Sequence, residues 1–115
     1  MLLMIVFTVL VNVQTANAQE KKEQWPGVTI KVLTENDFVA VKEVIIAPGA
    51  VADWHPHPKY TVYAVTDVKM KEEIEGKQPN IIDIKAGQAM FSPAKKHKTT
   101  NIGKKPFTVI VTEIK

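Results

Sequence analysis

Cysteine and arginine are both missing from the 115 residues. Without cysteine there can be no disulfide framework, thiolate-ligated zinc, iron–sulfur cluster, thiol nucleophile or acylated lipoprotein anchor. Without arginine, all fifteen basic residues are lysine. That removes the rigid guanidinium fork that grips phosphate or carboxylate through two parallel bonds. Glycine is scarce, at five residues against seven prolines. With no repeat visible, collagen-like and solenoid architectures are excluded. The net charge is only +3, and the lysines are spread from Lys21 to Lys115 with short clusters at Lys95-Lys96-His97-Lys98 and Lys104-Lys105. Nucleic-acid binding, which needs a concentrated basic surface interleaved with aromatics, is not expected.

A long apolar run is also lacking. Met1 to Val11 is apolar apart from Thr8, well short of the roughly 20 residues that span a bilayer. Asn12-Val13-Gln14-Thr15 and Ala16-Asn17-Ala18 follow. An apolar stretch ending in an A-x-A site is the pattern of a secretory signal peptide, although no lysine or arginine precedes the run. Residues 1–18 are therefore expected to be a signal peptide cleaved before Gln19. The mature chain would be periplasmic or secreted, with no stable membrane anchor. Residues 19–25 read as a polar N-terminal tether and residues 26–115 as one folded domain. A composition of 45% hydrophobic and 23% charged residues fits a single globular core.

The pattern after Pro26 is that of strands. Val28 to Leu33 alternates apolar and polar residues, and Thr34-Glu35-Asn36-Asp37 reads as a turn. Phe38 to Ala47 is apolar on both faces apart from Lys42 and Glu43, so it is expected to be covered on both sides. Tyr60 to Lys69 reads as the next strand, continued by Met70 to Glu75 up to a turn at Gly76-Lys77-Gln78-Pro79. Ile81 to Lys85, Gln88 to Phe91, His97 to Asn101 and Phe107 to Ile114 complete the series. No segment shows a capped 3.6-residue period. The predicted fold class is all-β, a sandwich or small antiparallel barrel.

The chain has three histidines. His55 and His57 are separated by one residue, so an extended backbone turns both imidazoles to one face. Pro56 and Pro58 keep that backbone extended. His97 arrives from a distant strand. Two imidazoles on one strand and a third from another can converge on a single metal ion.

The segment Gly49-x5-His55-x-His57 resembles the opening of the first cupin motif, and Gly87-x5-Pro93 followed by His97-x3-Asn101 resembles most of the second. The resemblance covers roughly residues 39–115. Within that superfamily, the His-x-His-Pro stretch, Tyr63 to Asp67 and Phe91-Ser92-Pro93-Ala94 are similar to small cupins labelled with β-alanine degradation. The resemblance implies a jelly-roll barrel (a double-stranded β-helix) with a metal in its mouth, and a homodimer by analogy. Two departures stand out. Thr61 and Val62 occupy the positions where the cupin pattern puts a glutamate ligand, and Pro93 to His97 is one residue short. The expected metal set is thus His55, His57 and His97 without a carboxylate. Such a set suits zinc, iron, manganese, nickel or copper.

Trp54, Lys59, Thr61, Tyr63 and Asn101 are the candidates for lining a ligand pocket, with Lys59 available to pair with an anionic ligand. Met70 and Met90 read as core residues, and Glu72-Glu73-Glu75 as a solvated, lysine-flanked face. The expected function is binding of a divalent metal and a small anionic molecule. The alternatives are a metal-dependent enzyme acting on a small carboxylate, such as a dioxygenase or isomerase, and a metal-free interaction module.

Overall fold

A computed structural model describes residues 22–115; the expected signal peptide lies outside them. Ten strands make up the fold: β1 (Lys22–Trp25), β2 (Val28–Glu35), β3 (Val39–Ile46), β4 (Val51–His57), β5 (Tyr60–Ala64), β6 (Val68–Ile74), β7 (Asn80–Ile84), β8 (Ala89–Ser92), β9 (Lys95–Asn101) and β10 (Phe107–Ile114). One sheet has the order β1-β2-β3-β10-β5-β8 and the other β4-β9-β6-β7. Every strand pairing is antiparallel. The result is an all-β jelly-roll barrel with no helix among the described residues.

Side-chain alternation decides what the sheets enclose. Along β10, Phe107, Val109, Val111 and Glu113 are buried while the residues between them are partly exposed. β10 lies between β3 and β5, so its inward row forms the centre of one wall. Val62 and Ala64 of β5, Ile46 of β3, Val28 of β2 and Met70 of β6 join it in one apolar cluster. Enclosing this inward row between the two sheets is the main driving force for closure.

Two segments differ from the sequence expectation. The stretch from Tyr60 to Lys69 is two strands in two sheets: the chain leaves β5 at Ala64 and enters β6 at Val68. At the bend the amide nitrogens of Val65 and Thr66 both donate to the carbonyl of Thr108, and the Thr66 hydroxyl accepts from the Thr108 amide. These bonds satisfy backbone groups that a continuous ladder would have used. Lys22–Trp25, expected to be part of a tether, is strand β1, paired to β2 across a turn at Gly27. Gly27 has φ +76°, and a Cβ there would lie 2.8 Å from the Ala50 Cβ. Only glycine meets both conditions without strain. The turn folds β1 back so that Trp25 reaches the barrel mouth, its ring 5.4 Å from that of His55.

Candidate metal centre

The strand β4 carries two of the three histidines, and a bulge aims them. Ala52 is paired with Thr99 and His55 with His97, so three residue steps on β4 face two on β9. The extra residue shifts the alternation. Ala52, His55 and His57 all face the interior, and Trp54 turns out to 42% exposure. The carbonyl of Asp53, at the bulge, accepts a hydrogen bond from Nδ1 of His55 at 2.5 Å.

The three imidazoles lie with ring centroids 4.6 to 5.0 Å apart. Each Nδ1 has an oxygen acceptor. For His55 it is the Asp53 carbonyl, for His57 the Glu113 carboxylate at 2.9 Å, and for His97 the Glu72 carboxylate at 2.6 Å. A neutral imidazole that donates through Nδ1 carries its lone pair on Nε2. All three Nε2 atoms are therefore free to ligate. Those of His55 and His97 are 2.9 Å apart, and two lone pairs at that distance repel until a proton or a cation sits between them. This donor set fits a divalent transition metal, and oxygen acceptors behind metal-binding histidines are the usual way of fixing tautomer and aim.

Glu72 and Glu113 are each held by a lysine as well. Lys95 lies 2.6 Å from Glu72, and Lys42 lies 2.6 Å from Glu113. Burial alone would push the Glu72 carboxyl up, but hydrogen bonds from His97 and Lys95, reinforced by their charges, bring it down to about 2. Glu113 is lowered in the same way: burial raises it, and Lys42 and His57 outweigh that effect. Burial drives the His55 imidazole down to about 4 and lowers His57, so both rings are neutral near pH 7 and ready to ligate.

The expectation that Glu72 belongs to a solvated face is thus corrected: it is 4% exposed and holds His97. Glu113 was not singled out at all. A signal for both does exist in the sequence. Val68, Met70 and Glu72 form one alternating row, and so do Phe107, Val109, Val111 and Glu113. A carboxylate that continues an inward apolar row must be buried and must have a partner.

The histidines open into a cavity of about 310 Å³. None of the five expected pocket residues lines it. Thr61 and Tyr63 alternate with Tyr60 and Val62 and so face outward, where Thr61 pairs with Phe91 and Thr112. The inward positions belong to Tyr60, whose ring lies 4.4 Å from that of His57, and to Val62. Trp54 is turned out by the bulge. Lys59 is exposed, and its backbone carbonyl accepts from Ile114. Asn101 is buried but structural. Its Nδ2 donates to the carbonyls of Ile46 and Lys105, both at 2.9 Å, and its Oδ1 accepts from Gly103.

No family profile matches the chain, and neither does any curated protein. Solved structures do. A cupin domain from Bordetella pertussis superposes with a TM-score of 0.73 at 25% identity, covering 82% of this chain and 99% of that one. The chain has the fold of a small cupin. An RmlC-like cupin from Shewanella frigidimarina gives a TM-score of 0.64 at 19% identity over 85% of each chain. A variant of Bacillus subtilis oxalate decarboxylase gives 0.66 at 22% identity, covering 83% of this chain but 27% of the larger enzyme. That enzyme is described as having Mn(II) centres.

Proposed function

We propose that this cupin binds a divalent transition metal through Nε2 of His55, His57 and His97 and takes a small anionic molecule at the metal's remaining positions. One observation carries the reading: every Nδ1 is committed to an oxygen acceptor, which leaves Nε2 of each ring to ligate, and one ring nitrogen from each histidine lies within 4.8 Å of the others beside a cavity. The Mn(II) centres of oxalate decarboxylase, which shares the fold, support a divalent ion without choosing among manganese, zinc, iron, nickel and copper.

The anionic character of the ligand follows from the charges around the site. Imidazoles that ligate a metal do so in their uncharged form, and the Glu72 and Glu113 carboxylates are balanced by Lys95 and Lys42. The charge of a divalent ion is then left for an incoming anion to neutralise, in surroundings where charge is poorly screened. When bound, the metal supplies Lewis acidity at its open positions. The chain's own groups hold the imidazoles in one tautomer, and Trp25 and Tyr60 wall the mouth. Export remains part of the proposal and rests on the Ala16-Asn17-Ala18 site; N-terminal sequencing of the protein from an expressing cell should begin at Gln19.

The deciding experiment is elemental analysis of untagged protein beside a His55→Ala/His57→Ala double variant. Near-stoichiometric transition metal, lost in the variant, is the expected result. No uptake of zinc, iron, manganese or nickel by the wild-type protein, even after loading, would overturn the reading.

A further inference from the structure

The cavity changes character along the strands, and this narrows the class of ligand. At the mouth, Glu113 on β10 stands opposite Tyr60 on β5, and Lys42 on β3, one row further in, bonds to Glu113. In the row of Lys42 the other inward residues are Val111 and Val62, and the row after it holds Val44 and Val109, all lining the cavity. Further again stand Ile46 and Phe107. The register joins these residues laterally, since Val111 pairs with Val62 and Val109 with Val44. Phe107 and Val28 close the inner end, and Met70 enters from the opposite sheet.

The lysine and the carboxylate in the lining are already engaged. Lys42, which is the one lysine in the lining, is bonded to Glu113, and Glu113 also accepts from His57. Among the described residues, the cavity lining therefore holds no unpaired cation for a second carboxylate. A dianion such as a short dicarboxylate would gain the metal at one end and bury its other charge against valine, at a cost of several kcal/mol. An alkyl group in the same place gains burial instead.

We propose, building on the metal reading above, that the natural ligand is a monoanion with a single chelating head and a short, branched apolar tail. The class is that of a 2-oxo or 2-hydroxy carboxylate bearing an aliphatic group. The head sits at the three histidines, and the tail runs between the two sheets along Val62, Val111 and Val44. Successive inward positions on one strand are about 7 Å apart, the length of a tail of about five carbons.

The test uses the zinc-loaded protein with ¹³C-labelled valine and leucine methyls. Zinc uptake is measured first, and binding of pyruvate, 4-methyl-2-oxopentanoate and oxalate is then compared by calorimetry. Pyruvate and 4-methyl-2-oxopentanoate share a head and differ by three tail carbons, each worth about a fourfold change in affinity when buried. The branched acid is therefore expected to bind at least tenfold more tightly than pyruvate and to shift the methyl resonances of Val62 and Val111. Oxalate is expected to shift neither. Val111→Leu and, separately, Val44→Leu narrow the channel. Each is expected to reduce the advantage of the branched acid over pyruvate, the ratio being measured on zinc-loaded protein.

No uptake of zinc, or of iron, manganese or nickel offered in its place, overturns the metal reading and this one with it. Zinc uptake with equal affinity for the two oxo acids, tighter binding of oxalate, or unshifted Val62 and Val111 methyls overturns the tail assignment alone. Should one narrowed variant fail to fold, the comparison of the two acids on the wild-type protein still decides.

Discussion

The Glu72 carboxylate on β6 lies 2.6 Å from Nδ1 of His97 on the neighbouring strand β9, and both side chains are buried. Lys95, two residues before His97 on the same face of β9, closes a triad on the same carboxylate oxygen. A buried ion pair of this kind sets geometry more than it adds stability. Its geometric effect is to direct His97 towards His55 and His57. Removing the charge strands the Lys95 ammonium, whose side chain is 15% exposed. Glu72→Gln is expected to weaken metal binding by about 10- to 100-fold and to destabilise the protein by about 3 kcal/mol. Competition titration with a chromophoric chelator and urea unfolding read the two effects separately. Unchanged metal affinity would show that Glu72 only neutralises Lys95.

Glu113 makes the parallel arrangement with His57 and Lys42, but Lys42 is 32% exposed and can return to water. Glu113→Gln is therefore expected to cost about tenfold in metal affinity with a stability loss of about 1 kcal/mol or less. If its unfolding midpoint falls as far as that of the Glu72 variant, the two carboxylates are energetically equivalent and this distinction fails.

Acid should weaken the metal-free fold in two stages with the same sign. His55 has its folded pKa lowered from 6.5 to about 4, so between those values the unfolded chain takes up a proton that the folded chain refuses. Stability then falls as pH drops from about 6.5. Glu72 is lowered from 4.5 to about 2, and its contribution is lost across that lower window. His57 is also lowered and acts in the same direction as His55. Urea midpoints of the metal-free protein should decline steadily from pH 7 to pH 4. A midpoint unchanged between pH 7 and pH 5 contradicts the burial of His55.

Gly27→Ala combines a left-handed backbone at φ +76° with a Cβ only 2.8 Å from that of Ala50. A loss of about 1–3 kcal/mol is expected for the backbone conformation alone. The turn should open and withdraw Trp25 from His55, so its tryptophan fluorescence should move to longer wavelength. A wild-type spectrum and unfolding midpoint would mean that the turn tolerates a side chain.

The histidine cluster was legible because two imidazoles one residue apart on an extended chain have only one arrangement, and because Pro56 between them and Pro58 after them keep that chain extended. The all-β class followed from alternation and turn residues. The pocket lining was not legible. Its parity on β4 depends on a bulge that local sequence does not announce, and on β5 the choice between Tyr60 and Tyr63 depends on which face meets the second sheet. Glu72 was read by its charged neighbours in sequence, whereas its position is governed by Val68 and Met70, which share its face of β6. The break at Val65 to Asp67 was hidden because an alternating apolar row, Val62 and Ala64 then Val68 and Met70, continues on either side of it.

Two of the three imidazoles ride on β4, which stands at the edge of its sheet and is hydrogen-bonded along one side to β9. Edge strands open locally at far lower free energy than a whole domain unfolds. At the proposed metal site, exchange should therefore have its own clock. The lifetime of a bound ion is expected to be set by fraying of Val51–His57 while Glu72, His97 and the opposite sheet stay in place. Chelator-driven loss should keep pace with amide exchange in that strand and be indifferent to mutations that change only global stability.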